Sequence, residues 1–250
     1  MRKFVFILLL INAQFSLAQE DTSYQEVVRH FVNCIKQDKR DVIGDNVIYP
    51  LYRYYPLTEI ADKNDFLKRF DEVFDTSLRK AIARSRIASD WGPVGWHGIM
   101  FLNGDVWITE DGKLKAVNYQ SPVEKKKRTQ LIAADRAAIY ETLRNYKEPT
   151  CMLETTKYRI RIDEMPNGKY RYASWPIANK VSDKPSLVIQ NGTVEFPGTG
   201  GNHTFRFLSD GYTYDCDVIF IGENDSPPAA LTVKKGDKII LAQPAMLHGR

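Results

Sequence analysis

Apolar residues follow helical spacing in the first half of the chain and strand-like alternation in the last hundred residues. In "DTSYQEVVRHFVNCIKQDK", Val28, Phe31, Val32 and Ile35 stand at i, i+3, i+4 and i+7, one face of an amphipathic helix. Ser23 followed by Glu26 marks its start as a capping box. In residues 64–88, Phe66, Phe70, Val73 and Phe74 share a stripe, which predicts a second helix with Thr76 capping a change of direction near its middle. Between them, "VIYPLYRYYPL" is bracketed by Pro50 and Pro56 and predicts a short or edge strand, because proline cannot donate to a ladder.

Residues 98–102, 105–109 and 113–119 alternate around Asn103-Gly104 and Asp111-Gly112, so they predict a three-strand meander. Asp90-Trp91-Gly92-Pro93, just before it, reads as a turn. A further helix is expected over 129–149, with Pro149 ending it. The remainder is a series of short strands separated by Asn167-Gly168, Asn191-Gly192, Asp210-Gly211 and Lys235-Gly236, the pattern of a β-sandwich or small barrel. Tyr212, Tyr214, Cys216, Val218 and Phe220 share one strand face, which predicts a buried Cys216.

The fold class is therefore α+β. A helix-packed, curved antiparallel sheet occupies 19–122, a connector and linking helix 123–149, and an all-β sandwich or barrel 150–250. The first eighteen residues stand apart. Arg2 and Lys3, the apolar run Phe4 to Ile11, and Ser16-Leu17-Ala18 have the layout of a secretory signal peptide cleaved near Ala18. The apolar run is shorter than the roughly 20 residues a membrane-spanning helix needs, and no later stretch is apolar enough. The mature chain is expected to be exported, to the periplasm or beyond, with no transmembrane segment.

Charge excludes one class of partner. The chain carries 35 basic and 31 acidic side chains, and the leader accounts for two of the basic ones. No clustered basic face for nucleic acid results. "EKKKR", 124–128, reads as a solvated connector. Three cysteines leave at least one thiol without a partner in the chain, and Cys151–Cys216 is the expected bridge in an oxidising compartment.

Candidate chemistry is sparse. The chain contains no phosphate-cradling glycine loop, HExxH, paired CxxC or GxSxG, so no metal site and no cofactor is expected. The densest constellation is "DWGPVGWHGIM", 90–100. Asp90 orienting His97 beside Trp91 and Trp96 would make a general base in an apolar cleft. Tyr52, Arg53 and Tyr54 supply candidate ligand contacts opposite. Set against this, Asp90-Trp91-Gly92-Pro93 fits a turn, and Trp96 and Trp107 fit a small core. His30 and Cys34, at i and i+4 on the first helix, read as a core-edge histidine beside a buried cysteine. Tyr170, Tyr172 and Trp175 could form an aromatic platform, though alternating aromatics on one strand fit a core as well.

The order of elements over about 20–120, with "VGWHGIMFLNGDVWI", resembles the nuclear-transport-factor-like family, a cone-shaped, cystatin-like α+β roll. The strand–turn–strand pattern is one seen in exported bacterial proteins. The resemblance implies a pocket at the open end of the sheet and, for enzymes of the family, an Asp or Asp–His pair in it; many members are binding modules. Three functions follow as expectations: an exported binding module for a small molecule, glycan or envelope component; an isomerase- or hydrolase-like enzyme using Asp90 and His97; and an inhibitor or immunity-type protein acting by protein contact.

Overall fold

The computed structural model describes residues 24–198, 201–220 and 225–248. The expected leader and Ser23 of the capping box lie outside the described residues. By its internal contacts the chain divides into two units. One comprises the residues up to Tyr52 with Glu59–Glu124, the other Arg53–Thr58 with Lys125 onward. Among the described residues, no helix is long and apolar enough to cross a membrane.

The first unit is α+β. Helix α1 runs over 24–36, and its stripe Val28, Phe31, Val32 and Ile35 is buried, as the spacing requires. A short α2 (Arg40–Asp45) follows. The second apolar stripe forms two helices rather than one bent one: α3 (Lys63–Val73) and α4 (Thr76–Arg84). Asp75, one residue before the expected cap, is the cause. Its backbone is extended and its carboxylate accepts from Leu78 N at 2.8 Å, so the second helix starts anew there. Phe66, Phe70 and Phe74 stay buried on one side, with ring centroids 5.3–5.6 Å apart along the series.

After the one-turn α5 (Ile87–Asp90) comes a four-stranded antiparallel sheet in sequence order: β1 (Trp91–Pro93), β2 (Ile99–Phe101), β3 (Val106–Ile108) and β4 (Leu114–Val117). The expected turn at 90–93 is thus an edge strand, with Trp91 paired to Phe101 and its indole buried in the core. Ile99, Phe101, Val106, Ile108, Leu114 and Val117 point into the helix-covered core. The segment 47–57 forms no strand; Val47 makes an isolated bridge to Leu114 and Leu51 one to Ile60.

The second unit is a barrel, not a sandwich. Strands β5 (Glu148–Glu154), β6 (Tyr158–Glu164), β7 (Tyr170–Pro176), β8 (Leu187–Glu195), β9 (His203–Ser209), β10 (Tyr212–Val218), β11 (Ala229–Lys235) and β12 (Lys238–His248) each pair with the next, and β12 closes on β5. This is an eight-stranded up-and-down barrel, an architecture without free edges. Several strand boundaries differ from expectation, and β10 ends at Val218, which leaves the expected Phe220 outside it and exposed. β5 takes residues 148–149 from the expected helix. The two strands expected around Asn191-Gly192 are one bulged strand, β8, which leaves β7 and joins β9 at that point. Asn191 takes a left-handed φ of 64°, and a Cβ on Gly192 would lie 2.2 Å from the Phe207 ring. Glycine is required because an interior aromatic packs onto its bare backbone, and the bulge turns the corner of the barrel.

Interior positions alternate along the strands, with Ile160, Ile162, Tyr172, Phe205, Phe207 and Cys216 among them. Tyr172 faces inward and Trp175 outward, so they form no shared platform. Cys151 and Cys216 sit in the same interior cluster, yet both are free thiols; the expected bridge is absent. Helix α6 (Pro122–Ala138), followed by a 3₁₀ turn at Glu141–Leu143, covers the outer wall of β6 and β7. The basic run 124–128 lies within α6 rather than in a connector, and Glu124 is fully buried.

Beneath that cover lies a buried ion network. Arg161 binds both carboxylate oxygens of Asp135 at 2.7 Å and Asp163 at 2.8 Å. Arg171 binds Asp163 at 2.6 Å and the carbonyls of Leu143 and Asn145 at 2.6 and 3.1 Å. Half-buried Tyr55, from the Arg53–Thr58 segment, is close enough to Arg161 and Asp135 to feel their charges, and burial pushes its phenol up to about 12.

Two outcomes are expected in urea titrations followed by circular dichroism. Asp163→Asn should destabilise the chain by about 3–5 kcal/mol, because it leaves two buried guanidinium groups without their shared anion. Gly192→Ala should cost about 1–3 kcal/mol through overpacking against Phe207.

Candidate functional site

Two clefts flank the β3–β4 turn, one against the β1–β2 connection and one against helices α1 and α2. The first is built by the β1–β2 connection. Residues 94–98 fold into a tight turn in which Val94 N donates to Gly98 O at 2.8 Å and Gly98 N to Gly95 O at 3.1 Å. Gly98 has φ of +99°, and a Cβ there would meet Ile108 O at 2.4 Å, so the strand β3 backbone forbids any side chain. This turn throws Trp96 outward: it is 59% exposed, the opposite of a core tryptophan. His97 stacks on it, with ring centroids 3.7 Å apart and planes 28° from parallel. Lys115 Nζ donates to His97 O at 3.2 Å and stands 5.9 Å from the Trp96 ring centre.

Thr109, Glu110 and Asp111 complete this cleft, which encloses about 400 Å³. Thr109 Oγ1 donates to the Asp111 carboxylate, and Lys113 pairs with it at 2.9 Å. Thr109 first, then Lys113, hold its carboxyl below the usual carboxylate range, so Asp111 is ionised at neutral pH. The arrangement offers a flat aromatic platform, an anion and a cation around one volume. That is the make-up of a site that binds and orients a polar ligand.

The second cleft, about 360 Å³, lies between α1, α2 and the same turn. Glu26, His30, Cys34, Ile43 and Asn46 line it, and Asp111 borders both clefts. The turn is seated on α1: the position a Cβ of Gly112 would occupy is 3.3 Å from Val27 Cγ1. Cys34 Sγ and His30 Nε2 are 3.6 Å apart, within hydrogen-bond reach for sulfur.

The expected Asp90–His97 dyad is not assembled. Asp90 accepts from Arg86 N at 2.8 Å, Ser89 Oγ at 3.0 Å and the Arg86 guanidinium at 3.4 Å, and these bonds hold its carboxyl below the usual range. Its role is to close the short helix α5 onto its own first turn. Trp91 is likewise core rather than contact surface, 4.6 Å from Phe101 and 5.9 Å from Phe31 by ring centroids, with its indole N–H on Ser85 Oγ. Of the Tyr52–Arg53–Tyr54 set, none borders either cleft; Arg53 is buried, and Arg53 and Tyr54 belong to the barrel unit. Of the expected catalytic pair and ligand contacts, Trp96 and His97 border one of these two clefts.

Thr109, Glu110, Asp111 and Lys115 escaped the sequence reading because "TEDGKLK" signals a turn by pattern alone. Only the fold of the 94–98 turn brings Trp96 over it. Among the described residues, no group of three or more His, Cys, Asp or Glu side chains could hold a metal ion. No protein-family model matches the chain, and neither a curated protein nor a solved structure matches it.

Gly98→Ala should cost about 1–3 kcal/mol, since alanine adopts this backbone conformation only under strain. A lowered melting temperature with altered Trp96 fluorescence is the expected readout.

Proposed function

We propose that the chain is an exported binding module whose α+β unit takes a glycan or similar polyhydroxylated small molecule at the Trp96 cleft. The observation that carries this reading is the solvent-facing Trp96–His97 stack above Glu110, Asp111 and Lys115. A sugar ring has an apolar face of C–H groups that lies flat on an indole. Its hydroxyls donate to carboxylates and accept from an ammonium group. An exposed indole beside fixed charges serves both needs, because Trp combines a large apolar surface with little rotamer entropy to lose. The leader-like first eighteen residues support export. The order of helices followed by an antiparallel sheet supports reading this unit as a nuclear-transport-factor-like roll. The engagement of Asp90 by α5 disfavours the enzymatic alternative.

Titration of the chain with a panel of neutral and charged oligosaccharides, read by tryptophan fluorescence and thermal melting, tests the proposal. A ligand at about 100 times its dissociation constant adds about 2.7 kcal/mol and raises the melting temperature. Trp96→Ala should weaken binding by about tenfold or more, the loss of about 1.4 kcal/mol. Because Trp96 is exposed, the melting temperature of the free variant should stay near that of the wild type. Undiminished binding by the variant, or no binding across the panel, sinks the reading.

A further inference from the structure

The second cleft holds a different chemistry, independent of the Trp96 reading. Three thiols occur in the chain, and two of them, Cys151 and Cys216, are sealed in the barrel core. Cys34 is also buried, at 4% exposure, but it lines the cleft beside α1. His30 stands one helical turn before it, exposed at the mouth, with Nε2 3.6 Å from the sulfur. The i, i+4 spacing on a regular helix places the two side chains on one face. Burial raises the Cys34 thiol, and Lys39 opposes this more weakly. A thiol desolvated in this way is inert on its own, since the thiolate is the nucleophile. An imidazole in contact removes that obstacle by taking the proton as the sulfur attacks.

We propose that Cys34 and His30 form a thiol-exchange site for small disulfides that carry an amine. Cys34 Sγ–H gives its proton to His30 Nε2 while the sulfur attacks one sulfur of the disulfide. A Cys34–S–S–R bond forms and the original S–S bond breaks. The departing thiolate recovers the proton from His30 and leaves as a free aminothiol. Cys34 is oxidised, half of the disulfide is reduced, and no other reagent is consumed. The preference for an amine follows from the walls. Glu26 and Asp111 line the cleft, Asp111 is held ionised, and among the described residues no Lys or Arg lines it; Lys113 pairs with Asp111 from outside the lining. A cleft of about 360 Å³ admits a small molecule but no folded partner.

The test treats the native full chain with cystamine and maps adducts by intact-mass and peptide mass spectrometry. One adduct is expected, on Cys34, and none on Cys151 or Cys216; Cys34→Ser should abolish it. His30→Gln, a change at an exposed position, should slow the reaction by about tenfold or more. The variant should also shift the rate profile to higher pH, towards that of an unassisted thiol, and melting curves should show that it remains folded. Oxidised glutathione, which is anionic, should react more slowly than cystamine. The proposal is overturned if native Cys34 stays unmodified while the urea-unfolded chain reacts at all three cysteines. It is also overturned if His30→Gln leaves both rate and pH profile unchanged, or if the barrel thiols react as fast as Cys34. Equal rates for the two disulfides would overturn the preference for an amine.

Discussion

The barrel unit is organised by a carboxylate that its wall could not leave uncovered. Asp163 is fully buried between two guanidinium groups on the outer face of β6 and β7. Burying charges in this way is costly unless the hydrogen-bonding directions are filled, and here Arg171 Nε is buried without a partner. Arg161 needs Asp135, and Asp135 lies on α6. Arg171 needs the carbonyls of Leu143 and Asn145, which the 3₁₀ turn and its exit supply. Satisfying the network therefore fixes where α6 and the segment after it must lie. The apolar contacts of Ile132, Ile139, Leu143 and Tyr146 on Ala173 and Trp175 then exclude water from it.

The two faces of each barrel strand thus carry unlike tasks. In "YRIRID", Ile160 and Ile162 point inward to a filled apolar interior, while Arg159, Arg161 and Asp163 point outward. Closure of β12 on β5 leaves backbone groups paired around the ring, and Gly192 lets Phe207 approach β8 at the corner. In the α+β unit two clefts border the turn between β3 and β4. One turn, 109–113, separates an aromatic-and-charge cleft from a thiol–imidazole cleft, and Asp111 faces both. A single short hairpin connection therefore shapes two sites with different chemistry.

Much of the helix pattern and most of the strand pattern were legible in the chain. The buried faces of α1 and α3, the three strands of the meander and the alternation around Cys216 all appear as apolar spacing, because burial of one face imposes that spacing. Boundaries were less legible where two signals competed. Asp75 read as helix interior but caps a new helix. Asn191-Gly192 read as a hairpin turn but forms a bulge, because left-handed backbone serves either purpose. The strand β1 carried a Gly-Pro signature that pattern alone assigns to a turn. The candidate site was half legible: Trp96 and His97 were visible as unusual residues, but their companions at 109–115 were not.

What the sequence determined by itself was the α+β class, the change from helix to strand near residue 150, and the inward faces of most elements, since these follow from the local periodicity of apolar side chains. The tertiary structure decided whether the strands form a barrel or a sandwich, which polar groups meet, and which residues face solvent. Those outcomes depend on contacts between residues far apart in the chain. Arg161 reaches Asp135, Cys34 shares a cleft with Asp111, and Trp91 and Trp96 part company, five residues apart, because one pairs within a strand and the other crowns a turn.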